Sequence, residues 1–479
     1  MSEIISIHVG KCGNRLGHEF WAMLAAEHGI GSVNSTESQV ENRGIFFSSA
    51  EDGLATVPRA VFVDFKPETK PAATAFAFRS ENFIFAENSV AQNYAKGYYT
   101  EGPELIDKIL KAISNEVGRC SNLQGFIMTH SLGGGVGSGL GSLIIAKLRE
   151  TYPDKTITTF SVLPSVPHQT TVLEPYNAVL AIEQLSKHAD LVFFLDNDKL
   201  YEIYFREFGK SNPTYQDLNH LLLHVISNVT APLRFHREDQ IMPSEQRIQE
   251  AERQFDLDLI SFDEFQKAYE IVHVRSAPLT LHDMVKKLVS VSSEANSSGE
   301  SLLHFLVTTL YPIISRDNKP SGYYSGNSDS SLGQRQLILS AVDVRETITM
   351  ANIAIMRGPQ AMYNKDYLPN TIQSSWPSGD KNSEIISIEI PAKGITLGAT
   401  LIANSTVIAS PLERIASNFD GMFRSKAFVQ HYTGEGMEVA EMAQARSKLD
   451  VLITAYRKME EAFRETEPEY YDGEDYEEG

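Results

Sequence analysis

The sequence predicts an α/β protein: a parallel sheet covered by helices on both faces, then one long connecting helix, an α+β second unit and carboxyl-terminal helices. Three observations carry that prediction. Short apolar runs that read as strands alternate with helical patterns through the amino-terminal part of the chain. A run of closely spaced glycines, Ser131-Leu-Gly-Gly-Gly-Val-Gly-Ser-Gly-Leu-Gly-Ser142, lies between one such strand and its helix. From Tyr215 to Phe235 the residues Leu218, Leu222, Ile226, Val229 and Leu233 recur at helical spacing, which predicts one long, largely buried helix.

Ile4 to Val9 alternate as a strand does, and Gly10 to Gly13 turn the chain into the helical pattern Leu16, Phe20, Trp21, Leu24. Ala60 to Phe65 repeats the grammar, as does Gly125 to Thr129, which runs into the glycines and a helix over Leu143 to Glu150. The strand Thr156 to Leu163 precedes a helix over 174–187, and Leu191 to Leu195 adds another strand. A sheet of this kind binds its ligand in the crevice at the carboxyl ends of its strands. After the central helix, Arg237 to Lys267 is charged and reads as helix-forming, while Tyr311 to Leu332, rich in Ser, Gly and Asn, reads as loop. Further strands are expected near Leu337 to Ala341, Thr349 to Met356, Glu384 to Ile390 and Thr400 to Ile408. Helices over Leu412 to Phe423 and Gly436 to Phe463, joined by the turn His431-Tyr-Thr-Gly-Glu-Gly436, come last before the tail.

At 479 residues the chain exceeds one ordinary core, so two or three packed domains are expected. It has no run of about 18 apolar residues, and the opening MSEIISIHVGKCGN is polar where a signal peptide is apolar. A soluble protein with no membrane association is the expectation. Cys12 and Cys120 are the only cysteines, which excludes a disulfide framework and a cysteine-rich zinc site and suits a reducing cytoplasm. The net charge of -20 disfavours nucleic acid and favours basic partners. Part of the excess is the tail Glu465 to Gly479, which carries no basic residue and too little apolar surface to offset its chain entropy. A disordered acidic brush is expected there, either merely solubilising or read by basic proteins.

Glycines 133, 134, 135, 137, 139 and 141 between strand and helix let the backbone approach an anion and aim N–H groups at it. This is a phosphate cradle. It lacks both the Lys-Ser/Thr ending of a Walker loop and the G-x-G-x-x-G spacing with an acid about 20 residues on.

The run SLGGGVGSG resembles the tubulin signature GGGTGSG. It does not stand alone: Gly10-Lys-Cys-Gly-Asn14, Tyr99-Thr-Glu-Gly102, Glu174-Pro-Tyr-Asn177 and Pro213-Thr-Tyr-Gln-Asp-Leu-Asn-His220 are similar to further stretches of that family. Ala403-Asn-Ser-Thr406, Met422-Phe-Arg-Ser-Lys-Ala-Phe428 and Tyr432-Thr-Gly-Glu-Gly-Met437 resemble the β type in particular. The resemblance implies a tubulin/FtsZ-like fold with a Rossmann-like GTP-binding domain over 1–213 and a central helix over 214–235. An insertion over 236–278, an intermediate α+β domain over 279–408, helices over 409–464 and the tail 465–479 would follow.

It also implies GTP or GDP laid across the strand ends. Asn197 and Asn219 would take the base edges, since an amide offers guanine a donor and an acceptor together. Tyr215 would stack on the ring. Glu174 would hold the ribose, Cys12 would lie against base and sugar, and Gly134, Gly135, Val136, Gly137 and Ser138 would cradle the phosphates. Gly10, Lys11, Arg15, Gln92 and Ser131 would complete the pocket. Read singly, each asparagine is a cap or turn and Tyr215 a core aromatic; the joint pattern is what favours a site.

Departures from the family gather at the phosphate end. Lys11 and Arg15 stand where glutamines are usual, Lys66 stands where a glutamate lies near the magnesium, and Val136 replaces a threonine. The loop Asn88 to Ala95 lacks the glycines of GAGNNWA. Cations gained and a carboxylate lost would weaken Mg2+ binding while covering some phosphate charge themselves; the alternative is that Lys11 and Lys66 merely face solvent. In the family, an acid of the next subunit orients the hydrolytic water, and only the α type carries it. Aligning Leu279 to Lys287 with that stretch puts Asp283 in a loop and Lys286 at the acid's position, so no catalytic residue is expected on this chain and its GTPase activity would be slow or absent.

The expected function is a GTP-binding structural subunit of microtubules in the cytoplasm, paired with an α-type tubulin and with further subunits in a filament, its tail read by motors or basic associated proteins. A γ-like nucleating or microtubule-associated tubulin is the nearer alternative. An NAD-dependent oxidoreductase would need an amino-terminal fingerprint and a ribose-binding acid that are not evident.

Overall fold

The computed structural model of the chain describes residues 3–49, 56–65, 76–86, 90, 92–165, 167–168, 170–241, 253–254, 261, 272–294, 305–311, 349–358, 383–394 and 398–464. Its first strand, β1 (Glu3–Val9), is buried along its whole length, as a strand at the centre of a sheet covered on both faces must be. It pairs in parallel with β4 (Ala60–Asp64) on one side and β6 (Leu123–Ser131) on the other. Outward, β5 (Phe83–Phe85) joins β4, β7 (Thr156–Leu163) joins β6 and β8 (Leu191–Asp196) joins β7, every pair parallel. A short hairpin, β2 (Phe47–Ser49) with β3 (Thr56–Pro58), stands apart.

The resulting order, β8-β7-β6-β1-β4-β5, has a consequence for ligand binding. From β1 the chain moves to β4 on one flank and later returns to lay β6 on the other. The topological switch point therefore falls between β1 and β6, where their carboxyl ends open a crevice.

Side chains alternate across β1. Ile5, Ile7 and Val9 face a core shared with Ile109, Ile113, Ile144 and Val179, the contribution of α3 (Glu101–Gly118), α4 (Gly141–Thr151) and α5 (Glu174–His188). Ile4 faces the opposite core with Leu16, Phe20, Trp21 and Ile226, from α1 (Gly10–Glu27) and α7 (Tyr215–Arg234). Each such side chain contributes about 1.5–3 kcal/mol on burial. Two further helices, α2 (Glu37–Val40) and α6 (Asn197–Phe208), belong to this part.

Helix α7 is the predicted connector. Thr214 and Asp217 form a reciprocal capping box at its start, and every residue from Leu221 to Arg234 is buried. It leads to a second set of strands: β9 (Arg237–Ile241), β10 (Val272–Ser276), β11 (Phe305–Tyr311), β12 (Thr349–Arg357), β13 (Ser383–Ile388) and β14 (Gly398–Ser405). β14 lies antiparallel between β11 and β12, and β12 is parallel to β13. β11 pairs in parallel with β8, so that among the described residues every strand except the β2–β3 hairpin joins one sheet. α8 (Leu281–Glu294) packs on this part, and α9 (Ala409–Arg424), α10 (Val429–Thr433) and α11 (Val439–Arg464) form the carboxyl-terminal layer.

Several expectations are corrected. The start of the charged stretch Arg237 to Lys267 is not helical: Arg237–Ile241 is a strand, because its backbone bonds pair with Val272–Ser276 in an antiparallel ladder. The described ends of the 236–278 segment therefore close as a two-stranded stem. Asp283 is not in a loop; it lies in the first turn of α8, where Thr280 caps its N–H (3.1 Å) and its carboxylate in return accepts the N–H (2.9 Å) and hydroxyl (2.7 Å) of Thr280. The turn expected at His431 to Gly436 is helical as far as Thr433. The strand near Leu337 to Ala341, most of the loop to Leu332 and the acidic tail lie outside the described residues. No helix among the described residues is long and apolar enough to cross a membrane.

Helices α1 and α7 converge at their carboxyl ends on Glu27. Its carboxylate accepts from Arg234 (2.8 Å), Arg357 of β12 (3.1 Å) and the Ser227 hydroxyl (2.7 Å), with all four side chains buried. Burial alone would raise this carboxyl; the Arg357 and Arg234 guanidiniums outweigh it and hold it at about 2. Both guanidiniums also approach the Phe235 ring, at 4.8 and 5.7 Å.

Candidate nucleotide site

Two turns meet at the switch point. Gly10 follows β1 with φ +72°, and a Cβ there would lie 3.2 Å from the Gly137 nitrogen. Only glycine lets the first turn close against the glycine run in this backbone conformation. The run itself passes from β6 through a π-helical turn, Val136–Leu140, into α4. The N–H groups of a helix's first turn have no partner within the helix, which suits them to an anion. Gly134 is the open position: a Cβ there would meet only the Ser131 hydroxyl oxygen, at 3.6 Å. Ser138 is turned inward, donating both its N–H (2.9 Å) and its hydroxyl (2.7 Å) to the Gly134 carbonyl. It shapes the cradle rather than pointing into it.

Buried side chains outside the expected set hold these turns. His130 Nδ1 donates to the Gly137 carbonyl at 2.7 Å, which leaves Nε2 to accept from the Ser161 hydroxyl, also at 2.7 Å. Burial keeps His130 neutral, pulling its pKa down to about 4 against the opposing pull of the Gly137 bond. Asn177 of α5 donates to the carbonyls of Gly133 (2.7 Å) and Gln92 (2.8 Å) and accepts from the Tyr94 N–H (2.9 Å). Gln92 is exposed, with φ +58°, a left-handed conformation uncommon for a residue with a side chain. The Asn177 bond to its carbonyl is one of the contacts that fix it. His130 lies in Thr129-His-Ser131, and Asn177 closes the motif Glu174-Pro-Tyr-Asn177. The motif gave a signal for Asn177 but no role.

At the other end of the crevice, Glu174 is buried at the start of α5, accepting from the Thr170 N–H and hydroxyl, each at 2.8 Å. Asn197 opens α6, half-buried beside Asp196, whose carboxylate caps the helix and takes two bonds from Arg414 (2.9 and 2.8 Å). Tyr215 and Asn219 stand one turn apart on α7, the tyrosine 47% exposed and the asparagine buried. Tyr215 is available as a platform. Its phenol is pushed up by burial and then by Glu174 and Cys12, which ties the three to one neighbourhood. Burial pushes the half-buried Cys12 thiol up to about 12, with Arg15 pulling the other way.

Lys11 and Arg15 are exposed on the first turns of α1, Val136 is half-buried in the cradle, and Lys66 lies outside the described residues. Lys286 is exposed on α8. Among the described residues no three His, Cys, Asp or Glu side chains stand together as a metal-holding group. Two carboxylates at strand and helix ends accept hydrogen bonds from the chain itself: Asp64 accepts the Phe65 N–H at 2.7 Å, and Glu174 is bonded to Thr170. An all-protein Mg2+ site does not fit the residues described here.

Residues 3–205 match the Tubulin/FtsZ family, GTPase domain. Over 495 residues, spanning 99% of this chain and 99% of the relative, the sequence is 35% identical to the tubulin beta chain of Enteroctopus dofleini. The chain belongs to the tubulin family. Because the likeness runs end to end with a β chain, this is a divergent β-type tubulin, a GTP-binding subunit of the microtubule cytoskeleton. The parallel six-strand sheet and the glycine run at its switch point are the GTPase domain of that family.

Proposed function

We propose that this tubulin is the β-type half of a heterodimer with an α-type subunit, and that it lays guanine nucleotide across the β1–β6 crevice. Phosphates lie against Gly10 and the turn Gly134–Gly137, the ribose against Glu174 and Cys12, and the base between Tyr215 and the amides of Asn197 and Asn219. The observation that carries this reading is the meeting of the two glycine turns at the topological switch point. Lys11 and Arg15, with Gln92 and Ser131 on the rim, cover part of the phosphate charge, and the protein contributes little to Mg2+. A metal bound with the nucleotide would supply further neutralisation of phosphate charge. Lys286, a cation at the family's acidic position, cannot act as a base while protonated, so this subunit does not complete hydrolysis of its neighbour's nucleotide. The acidic tail takes basic associated proteins, and the polymer is cytoplasmic. End-to-end likeness to a β chain favours this over a γ-like nucleator.

Gly134→Ala tests the placement. The added methyl has room in the protein and collides only with a bound phosphate. Losing one N–H bond to a charged oxygen weakens binding by about tenfold to a hundredfold. The variant, purified with an α-type tubulin, should melt normally without nucleotide yet retain less guanine nucleotide. Unchanged retention would put the phosphates elsewhere.

A further inference from the structure

The bonds around the cradle do not end at the nucleotide site. Asn177 is wholly buried, and its carbonyl accepts not only the Tyr94 N–H but also the hydroxyl of Tyr432 in α10, at 2.7 Å. Beside it, Asn93 donates to the His431 carbonyl at 2.8 Å, and its own N–H backs on to the cradle, 2.4 Å from where a Cβ of Gly135 would stand. Thr100 donates to Glu435 at 2.8 Å, and Tyr99 to Glu441. Four hydrogen bonds thus join residues that flank or hold the cradle to one surface turn, 431–441. Between Gly133 and Tyr432 stands a single side chain, Asn177, with its amide saturated: two donor bonds on one side, two acceptor bonds on the other.

We propose that Asn177 is a positioning residue of the nucleotide site that also couples it to the α10–α11 turn, so that phosphate occupancy tightens this turn and a protein gripping the turn alters nucleotide release. The amide cannot rotate to follow a displaced Gly133 carbonyl without breaking its bond to Tyr432. Coupling of this kind is reciprocal: whatever nucleotide does to the turn, a partner on the turn does to nucleotide. The proposal rests on the phosphate placement given above.

Tyr432→Phe tests it with little risk to folding, since the ring stays packed and only the hydroxyl is lost. Full-length protein, purified with its tubulin partner, would be compared with wild type for guanine-nucleotide release rate and for hydrogen exchange of the 430–437 amides with nucleotide bound and removed. We expect wild-type turn amides to exchange more slowly when nucleotide is bound. In Tyr432→Phe that difference should shrink and release should quicken about threefold to tenfold. Asn177→Asp, which replaces the donor to Gly133 and Gln92 with an acceptor, should quicken release further. The coupling is overturned if the turn exchanges alike in both states of wild type, or if Tyr432→Phe lowers stability equally with and without nucleotide and leaves release unchanged. Failure of the phosphate placement itself would show separately, as Gly134→Ala without effect on retention.

Discussion

His8 accepts the indole N–H of Trp21 on Nε2 at 3.0 Å, so its other nitrogen donates to the Thr129 hydroxyl at 2.7 Å, and that hydroxyl in turn donates to the Gly13 carbonyl at 3.2 Å. The relay pins the first nucleotide turn to β6, and it works only while the imidazole is neutral. Burial, reinforced by His18, brings His8 down to about 3; burial likewise lowers His28 to about 3 and His130 and His224 to about 4. The unfolded chain takes up these protons near pH 6.5 and the folded protein does not. Stability is therefore fully present above about pH 6.5 and falls as pH drops toward 4, which urea titrations at pH 7.5 and 5.5 should show as a lower midpoint in acid. Glu27 has the same sign in a lower window, its contribution being present above about 4.5 and lost as pH falls toward about 2. Glu27→Gln leaves Arg234 and Arg357 buried without their counter-charge and should cost about 3–5 kcal/mol at neutral pH.

Among elements, α7 bears most directly on the proposed site because its first two turns carry Tyr215 and Asn219 and its last residue, Arg234, joins the Glu27 network. Thr214→Ala removes the side-chain acceptor that caps the Asp217 N–H. It should cost about 1 kcal/mol in denaturant unfolding and weaken guanine binding more than phosphate binding, read by comparing GDP with inorganic pyrophosphate as a competitor. α8 carries the contrasting case. Lys286→Glu introduces a carboxylate at the position proposed above to match the α type's acid, and phosphate release in the assembled polymer should then rise if that position faces the neighbour's nucleotide. β5, three residues long, was too short to read; the other strands of the first sheet half, β1, β4, β6, β7 and β8, and helix α7 were legible because strands buried on both faces read as short apolar runs and a buried helix repeats at 3.6. β9 was not. Arg237-Glu-Asp-Gln-Ile241 has the composition of an exposed helix, and what makes it a strand is a partner, Val272–Ser276, far along the chain. Asp283 was misread for a related reason: capping depends on where the helix begins, which residue types alone did not settle.

At the scale of the whole molecule, the glycine turns and the family motifs pointed to the crevice proposed for the ligand, but not to what holds it in shape. Asn177 and His130 serve through partners on β7, the π-helical turn, α10 and the segments around Gln92 and Gly133, and no local pattern announces such a role. The same holds for the junction of the two sheet halves. Arg357 is an ordinary strand arginine in sequence, yet in the fold it meets Glu27 at the far ends of both helices that begin at the proposed nucleotide site.

That junction has a consequence in the salt dependence of the protein. Raising ionic strength from 0.1 to 1 M shortens the Debye length from about 10 to about 3 Å, which weakens solvent-facing pairs such as Lys147–Glu150, exposed at 41% and 69%. The Glu27 side chain and its two arginines are at most 1% exposed, where mobile ions do not reach. The stability difference between wild type and Glu27→Gln should therefore be the same in dilute and concentrated sodium chloride. A concentrated-salt wash would accordingly loosen solvent-facing charge contacts while leaving the two halves of the subunit clamped together.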